Sequence, residues 1–535
     1  MRLPSMLLLA LPLFFLVVHA AHHHPQQGHH GLNRLNRRLD HRSGGAHHLS
    51  LGLSLSVSVG LPTSTSTSTE AVTTTSSKTS TGLSSSTTSS VSSAPSTTSS
   101  PTPSSSSTAA STSLSSLTTA TISASSSPST TSTGASSPSS SGPPSSTPAL
   151  TITGTGTLPK PTSFVQRRHH GQHLHLEGEN YRIVGPNIYW LCSDENDDPW
   201  AAPPAKSRVR EALAMAVAMG ANTIRAHTCG ISVGPNSPYN LHPSPGVWNE
   251  SLWDIRDYVL FAAREYGLRV ILPLTDNYDY YHGGKYSFLD FFKISRANAG
   301  EAFYTSPIVI RAYKDYITRF LLRVNRYTGV AYQRDPTILA WETGNELGGY
   351  INEEMWPPVE WTDQITHHIR KYDHKHLVID GTNGFWNYTT KVSAPSLNLS
   401  STDLVSDHGA GYPRNVALLE KEVELAGAAG KGFLIGEYDW TSNDDKDSLA
   451  DFLATIESAG SYLGDMLWSL LSHSSSCTSW ITHSDNYSLY YPLGNSLAAD
   501  RANVEAVVRH WYRVTGREEP EAGGMVEVRC PQEEF

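Results

Sequence analysis

Residues 337–346 read TILAWETGNE. Thr337 to Trp341 is a run of apolar and β-branched residues suited to a strand buried on both faces, and it runs directly into two carboxylates, Glu342 and Glu346. An apolar strand with polar chemistry at its C-terminal end is the repeating unit of a parallel α/β barrel. The same arrangement recurs outward from it. The runs IVGPNIYW (183–190), NTIRAH (222–227), LRVILPLT (268–275), HLVIDGT (376–382), DLVSDH (403–408), GFLIGEYD (432–439) and GDMLWSLL (464–471) complete a set of eight with TILAWETG (337–344). Amphipathic segments such as SRVREALAMAVAMG and SLWDIRDYVLFAAREYG separate them. Eight β/α repeats in about 350 residues predict an α/β fold, a (β/α)8 TIM barrel with extended loops at its C-terminal face. HLHLEGENYRIVG, turning at Glu177 to Asn180, predicts a hairpin leading into the first strand. A doubly wound sheet would carry a glycine-rich phosphate loop after its first strand, and this chain has none there.

The strand ends gather Tyr189, Trp190, Arg225, His227, Asp276, Asn277, Asn345, Glu346, Asn383, His408, Tyr412, Glu437 and Trp468. Carboxylates, amides and aromatic rings in one place suit a sugar, whose hydroxyl edges take hydrogen bonds and whose C–H faces stack on rings. Glu342, Gly344 and Glu346 would share one face of a regularly continued strand, with Glu342 deeper. A carboxylate at that depth needs a partner, so Glu342 reads as the structural mate of an interior donor. Glu346, at the mouth, pairs in function with Glu437, 91 residues later at the end of the seventh strand. A retaining glycosidase needs two carboxyl groups about 5 Å apart, one acid and one nucleophile. The acid is then expected to be kept protonated by burial and its neighbour's charge, and the nucleophile ionised by donors such as Arg225.

The remainder of the chain is of a different kind. MRLPSMLLLALPLFFLVVHA (1–20) has the apolar core and small-residue exit of a secretory signal, too short to span a bilayer comfortably. Residues 21–163, histidine-rich and then almost wholly Ser, Thr, Pro, Gly and Ala, predict a disordered, O-glycosylated stalk. Their histidines have no spacing that builds a metal site, and the pairs Arg37-Arg38 and Arg167-Arg168 are candidate processing sites. The barrel is expected over 164–516, followed by a polar tail, 517–535, with no assigned role. From residue 164 onward there are 32 basic and 47 acidic residues, a net charge of −15 that disfavours nucleic acid and anionic membranes as partners. Cys192, Cys229, Cys477 and Cys530 allow two disulfides in any of three connectivities. Asn249, Asn387, Asn398 and Asn486 open N-x-Ser/Thr sequons. The expectation is a secreted, extracellular or wall-associated monomer acting on a β-linked polysaccharide without metal or cofactor.

GPNIYWL, REYGLRVILPLTDNYDYYHGGK, LLRVNRYTGVAYQRDPTILAWETGNE, KYDHKHLVIDGTNGFW, IGEYDW and MLWSL carry a resemblance over about residues 175 to 515. The chain resembles glycoside hydrolase family five, of the retaining TIM-barrel clan, and within it the eukaryotic endo-β-1,4-mannanases. The resemblance implies Glu346 as acid/base, Glu437 as nucleophile, Asn345 on the sugar 2-hydroxyl, Arg225 orienting Glu437 and Trp468 as the sugar floor. It places Tyr189, Trp190 and Asn277 along the cleft. The chain departs from the family where Leu347-Gly348 replace Pro-Arg and where Ala226-His227 follow the arginine in place of an aromatic residue. It departs again in SDHGAGYPRN, where Tyr412-Pro413 align only with Ala410 at the family histidine, leaving His408 as the candidate for that role. These changes bear on which sugar is cleaved. An exo-acting β-mannosidase, a β-glucanase and a non-catalytic wall-tethered carbohydrate binder are the competing readings.

Overall fold

The computed structural model describes residues 158–168, 172–196, 201–235, 237–348, 356–442, 446–460, 462–493 and 498–531. The secretory signal and the stalk up to residue 157 lie outside the described residues.

All eight expected strands are present: β1 (Val184–Pro186), β2 (Thr223–Arg225), β3 (Arg269–Pro273), β4 (Ile338–Glu342), β5 (Leu377–Asp380), β6 (Leu404–Asp407), β7 (Gly432–Asp439) and β8 (Leu463–Trp468). Neighbours pair in parallel in the order β1-β8-β7-β6-β5-β4-β3-β2. A parallel bridge between Asn187 and Arg225 joins the two ends of that order, with the Ile188 N–H donating to the Arg225 carbonyl at 2.9 Å. The sheet therefore curls into a barrel with its strand C-termini on one rim.

The helices between strands form where the sequence repeats its apolar residues at helical spacing. In α3 (Pro307–Leu322), the third of the long outer helices after α1 (Lys206–Ala218) and α2 (Trp253–Tyr266), Pro307 sits in the first turn, where a missing N–H costs nothing. Its face Val309, Tyr313, Tyr316, Ile317 and Phe320 is buried. Tyr313 also donates its hydroxyl to the Thr343 carbonyl at 2.8 Å, which clamps the helix to the chain leaving β4. The series continues with α4 (Val359–Tyr372), α5 (Val416–Ala428), α6 (Leu449–Ser458) and α7 (Ala498–Val514).

One repeat departs from the expected pattern. Between β5 and β6 the described chain makes a short strand pair and a single 3-10 turn, Pro395–Asn398, in place of a covering helix. The segment GTNGFWNYTTKVSAPSLNLSSTD is too rich in Gly, Pro, Ser, Thr and Asn to propagate a helix.

The barrel interior is a packed core. Ile271, Leu339, Ile379, Leu404, Leu434 and Met466 form one buried cluster, and Leu174 and Tyr181 of the expected hairpin (strands Leu174–Leu176 and Glu179–Tyr181) close it from the N-terminal end. Gln166–Arg167 pairs with this hairpin, so the second dibasic pair begins inside an ordered sheet.

Two disulfides resolve the open connectivity: Cys192–Cys229 joins the loops after β1 and β2, and Cys477–Cys530 joins the loop after β8 to the C-terminal tail. They enclose 37 and 53 residues of separation. Loop-closure entropy at these lengths corresponds to about 4 kcal/mol each. The tail, which had no assigned role, thus packs Met525, Val526 and Val528 on the core and is held by a covalent tie. Among the described residues no helix is long and apolar enough to cross a membrane.

Candidate active site

Arg225 is the hub. It lies at the end of β2 and is fully buried, with its Nε and Nη2 donating to the two oxygens of Glu342 at 2.8 and 2.9 Å. This bidentate pair is the interior partnership that Glu342 needs at its depth. The rest of the guanidinium points upward: Nη1 donates to Asn187 Oδ1 at 3.1 Å and to Glu437 Oε1 at 3.0 Å, and Nη2 to Asn345 Oδ1 at 2.8 Å.

Glu346 does not continue the face of Glu342, as a regular strand would require. β4 ends at Glu342, and Glu346 has a left-handed backbone, φ 54°, a conformation that costs a non-glycine residue on the order of 1 kcal/mol. The ladder persists beyond β4 as isolated bridges, Asp276 with Asn345 and Leu347 with Thr382. That turn brings Glu346 over Glu437.

His408 lies against both carboxylates. Its Nδ1 is 2.8 Å from Glu346 Oε1 and 3.6 Å from Glu437 Oε1, and the ligand-capable atoms of the three side chains all fall within 4.8 Å of one another. One glycine makes room for the ring, and a second lets the turn after β6 approach the end of β7. A Cβ on Gly436 would stand 2.4 Å from His408 Nε2, and one on Gly411 would stand 2.2 Å from the Glu437 carbonyl oxygen. Ala410, at the family histidine's place, is buried and donates its N–H to Asp407 at 2.6 Å. Gly436→Ala should therefore push the imidazole off the two glutamates. A loss of turnover on the order of 10²-fold, with the melting temperature little changed, is the expected result of steady-state and thermal measurements.

The electrostatics run against the expected order of the two carboxyl groups. Burial raises Glu346, but the hydrogen bond and charge of His408 outweigh it and hold the carboxyl down at about 2. Glu437 is raised, by burial and then by the charge of Glu346, against the pull of His408 and Arg225. His408 is itself raised above 6.5, because Glu437 and Glu346 together outweigh its burial. Between these two groups the balance thus favours the proton on His408 over Glu346. A raised histidine contributes its stability below about 6.5 and loses it as pH rises through the elevated value, whereas a depressed glutamate contributes above about 4.5 and loses it toward about 2. Thermal melts should show the wild type's advantage over His408→Gln to be greatest between pH 4.5 and 6.5 and to shrink above that range. A pH-independent difference would count against the ion pair.

Trp468 closes the other side. Its indole N–H donates to Asp485 Oδ2 at 2.6 Å, and Tyr189 stacks behind it with ring centroids 5.4 Å apart. His483 lies 2.9 Å from Asp485 and 2.8 Å from Glu195, and these two acids push it up to about 10 despite its burial. The loops after β1 and β8 are thereby joined by a partly buried imidazolium.

Three residues expected along the cleft stand behind it. Trp190 is fully buried, its indole N–H donating to the Leu470 carbonyl at 3.0 Å under the Arg208 guanidinium. Asn277 is fully buried and binds the Gly348 carbonyl and Lys285, which anchors the loop that follows Glu346. Tyr189 is nearly buried as the backing of Trp468. Aromatic and amide residues at strand ends fill the second layer as readily as the first, and sequence spacing does not separate the two. Tyr412 is half-buried, 4.5 Å from the Tyr487 ring, beside the end of β7. Sequence reasoning gave no role to Tyr278, whose hydroxyl bonds Glu346 and helps to depress it, nor to Asp485. Tyr278 lies one residue past Asn277, in the quoted third-strand motif, while Asp485 lies in a loop without a strand-end signal.

Residues 162–421 match the family described as GH family 5 beta-mannosidase-like. Those residues form a domain similar to glycoside hydrolase family 5. Mannan endo-1,4-beta-mannosidase 1 of Oryza sativa subsp. japonica is 33% identical over 242 residues, 45% of this chain and 54% of that protein. Mannan endo-1,4-beta-mannosidase 5 of Solanum lycopersicum is 30% identical over 246 residues, 45% of this chain and 57% of that protein. The chain thus spans about half the length of the curated relatives it matches. Among solved structures, the endo-1,4-beta-mannanase of Rhizomucor miehei aligns with a TM-score of 0.53 at 22% identity, covering 66% of this chain and all of that one. A family 5 mannosidase from the same fungus aligns at 0.52 and 18%, covering 66% of this chain and 99% of that one. At these identities the likeness extends to the family 5 barrel fold.

Proposed function

We propose that this family 5 protein is a secreted retaining glycoside hydrolase, a mannan endo-1,4-β-mannosidase that cleaves β-linked mannan by double displacement. The observation that carries the reading is the approach of Glu346 and Glu437, whose oxygens lie within 4.8 Å. Retaining enzymes hold their carboxyl groups about 5 Å apart, and inverting enzymes leave roughly 6.5–9.5 Å for a water. Arg225 favours the ionised Glu437 that attacks the anomeric carbon, while the leaving oxygen takes a proton from Glu346. His408 supplies that proton: an imidazolium beside a glutamate is one transfer across 2.8 Å from a neutral imidazole beside a glutamic acid. Glu346, now a carboxylate, deprotonates the water that attacks the same carbon, and Glu437 departs. Asn345 serves the 2-hydroxyl, Trp468 the sugar face, and Tyr412 the rim.

The names of the curated relatives support mannan as the substrate and an endo mode of attack. The leader at 1–20 and the sequons, of which Asn398 and Asn486 are exposed, support passage through a secretory pathway to the extracellular space or wall. The test is product analysis of the full chain on mannan, glucomannan, β-glucans and short mannooligosaccharides, with the anomer of the first product read by NMR. Mixed mannooligosaccharides released first as the β-anomer are expected. Single mannose units would replace endo with exo action, and an α-anomer would overturn the retaining assignment.

A further inference from the structure

We propose that His227 is a positioning residue which, as a neutral Nε2–H donor, fixes the Asn345 amide and keeps Glu437 ionised in this chain. The inference rests on the hydrolase reading above. His227 stands where the resemblance leads one to expect an aromatic ring, and it is almost fully buried. Its Nε2 lies 3.0 Å from Asn345 Oδ1, 3.5 Å from Glu437 Oε1 and 2.9 Å from Arg225 Nη1. Its ring meets Trp468 edge-on at 5.5 Å.

The hydrogen positions follow from these partners. Arg225 Nη1 has two protons, and both have oxygen acceptors, Asn187 Oδ1 and Glu437 Oε1. Asn345 Oδ1 receives Arg225 Nη2 at 2.8 Å, which identifies that atom as the amide oxygen. An oxygen only accepts, and the alternative, Nε2 accepting from Arg225 Nη1 at 2.9 Å, would strand a buried proton on Nδ1, so Nε2 carries the proton and Nδ1 is left as a bare lone pair. Consistently, Nδ1 has no hydrogen-bond partner among the described residues. Burial, reinforced by the Arg225 charge, lowers His227 to about 3 against the opposing pull of Asp276 and Glu342. The ring is therefore neutral across any working pH and adds a dipole, not a charge, beside Glu437.

Two oxygens with catalytic assignments thus depend on one N–H. With Oδ1 held by Arg225 and His227, the Asn345 NH2 is turned away from them, one hydrogen reaching toward Asp276 Oδ1 at 3.4 Å and the other remaining for a sugar hydroxyl. An aromatic ring at position 227 would fill the space under Trp468 but offer no N–H to either oxygen.

The experiment compares His227→Phe, which keeps a ring, with His227→Gln, whose amide nitrogen reaches nearly where Nε2 does, in the full-length protein. His227→Phe is expected to lower kcat/KM on mannan by roughly 10- to 100-fold, mostly through kcat, and to move the acid limb of its pH profile up by roughly half to one pH unit. His227→Gln is expected to restore most of both. Selectively 13C-labelled glutamate, with the Glu437 resonance identified by its loss in Glu437→Gln, gives the same titration without substrate. An upward shift in the phenylalanine variant that the glutamine variant reverses supports the proposal. An unmoved Glu437 titration, or equal losses in both variants, overturns it. Failure of the wild type to cleave any β-mannan would sink the hydrolase reading, and the labelled titration would still decide what His227 does.

Discussion

Glu437→Ala is expected to reduce mannan hydrolysis on the order of 10⁶-fold, the scale on which hydrolases respond to loss of a covalent nucleophile. Glu346→Ala is expected to cost about 10² to 10⁴-fold on mannan, and far less on aryl mannosides whose leaving group needs no proton. Added azide separates the two roles. In the Glu437→Ala variant it enters the emptied space and displaces the leaving group once, giving an α-mannosyl azide. In Glu346→Ala it attacks the glycosyl ester on Glu437, and two inversions give a β-mannosyl azide. Exchange of these products between the variants would reverse the assignment, and full activity in either would remove that residue from the mechanism. The resting proton on His408 adds a refinement: His408→Gln should slow the first step on poor leaving groups more than on good ones, because Glu346 then lacks its proton reservoir.

Arg225→Ala carries the largest expected effect on stability. It strips Glu342 of both its donors in a fully buried position, and an uncompensated buried charge costs about 3–5 kcal/mol. The melting temperature should fall by roughly 5–10 °C. The double variant Arg225→Met, Glu342→Leu replaces the pair with apolar volume and should regain most of that loss. It should regain no activity, because Glu437 and Asn345 still lack the guanidinium, a deficit of about 10² to 10³-fold. Recovery of activity in the double variant would show that Arg225 acts only through Glu342 and the fold.

The barrel was legible because its signals are periodic: eight apolar runs at strand length, separated by amphipathic helices. Strand boundaries came within a few residues for the same reason, and β7 matched at both ends, GFLIGEYD being bounded by Gly432 and Asp439. The fifth repeat was misread as carrying a helix because counting strands does not test the composition between them. At the site, the depth of Glu342 and the pairing of Glu346 with Glu437 could be read from position along a strand. The protonation order could not, since it depends on how His408 is seated, and that seating depends on the room left by Gly436 in the neighbouring strand. The inward displacement of Trp190 and Asn277 was equally hidden: which layer a strand-end residue occupies is decided by the turns that follow, and the turn at Glu346 leaves the strand altogether.

The end of α7 at Val514 looks like the natural place to cut a minimal enzyme, because the eighth repeat is complete there. Such a truncation would remove Cys530 and leave Cys477 with an orphaned thiol in the loop that carries His483 and Asp485, the brace behind Trp468. An expression boundary chosen from the repeat count alone would yield a barrel with every strand in place and an unfastened sugar platform. The fastening of that platform lies past α7, at residue 530.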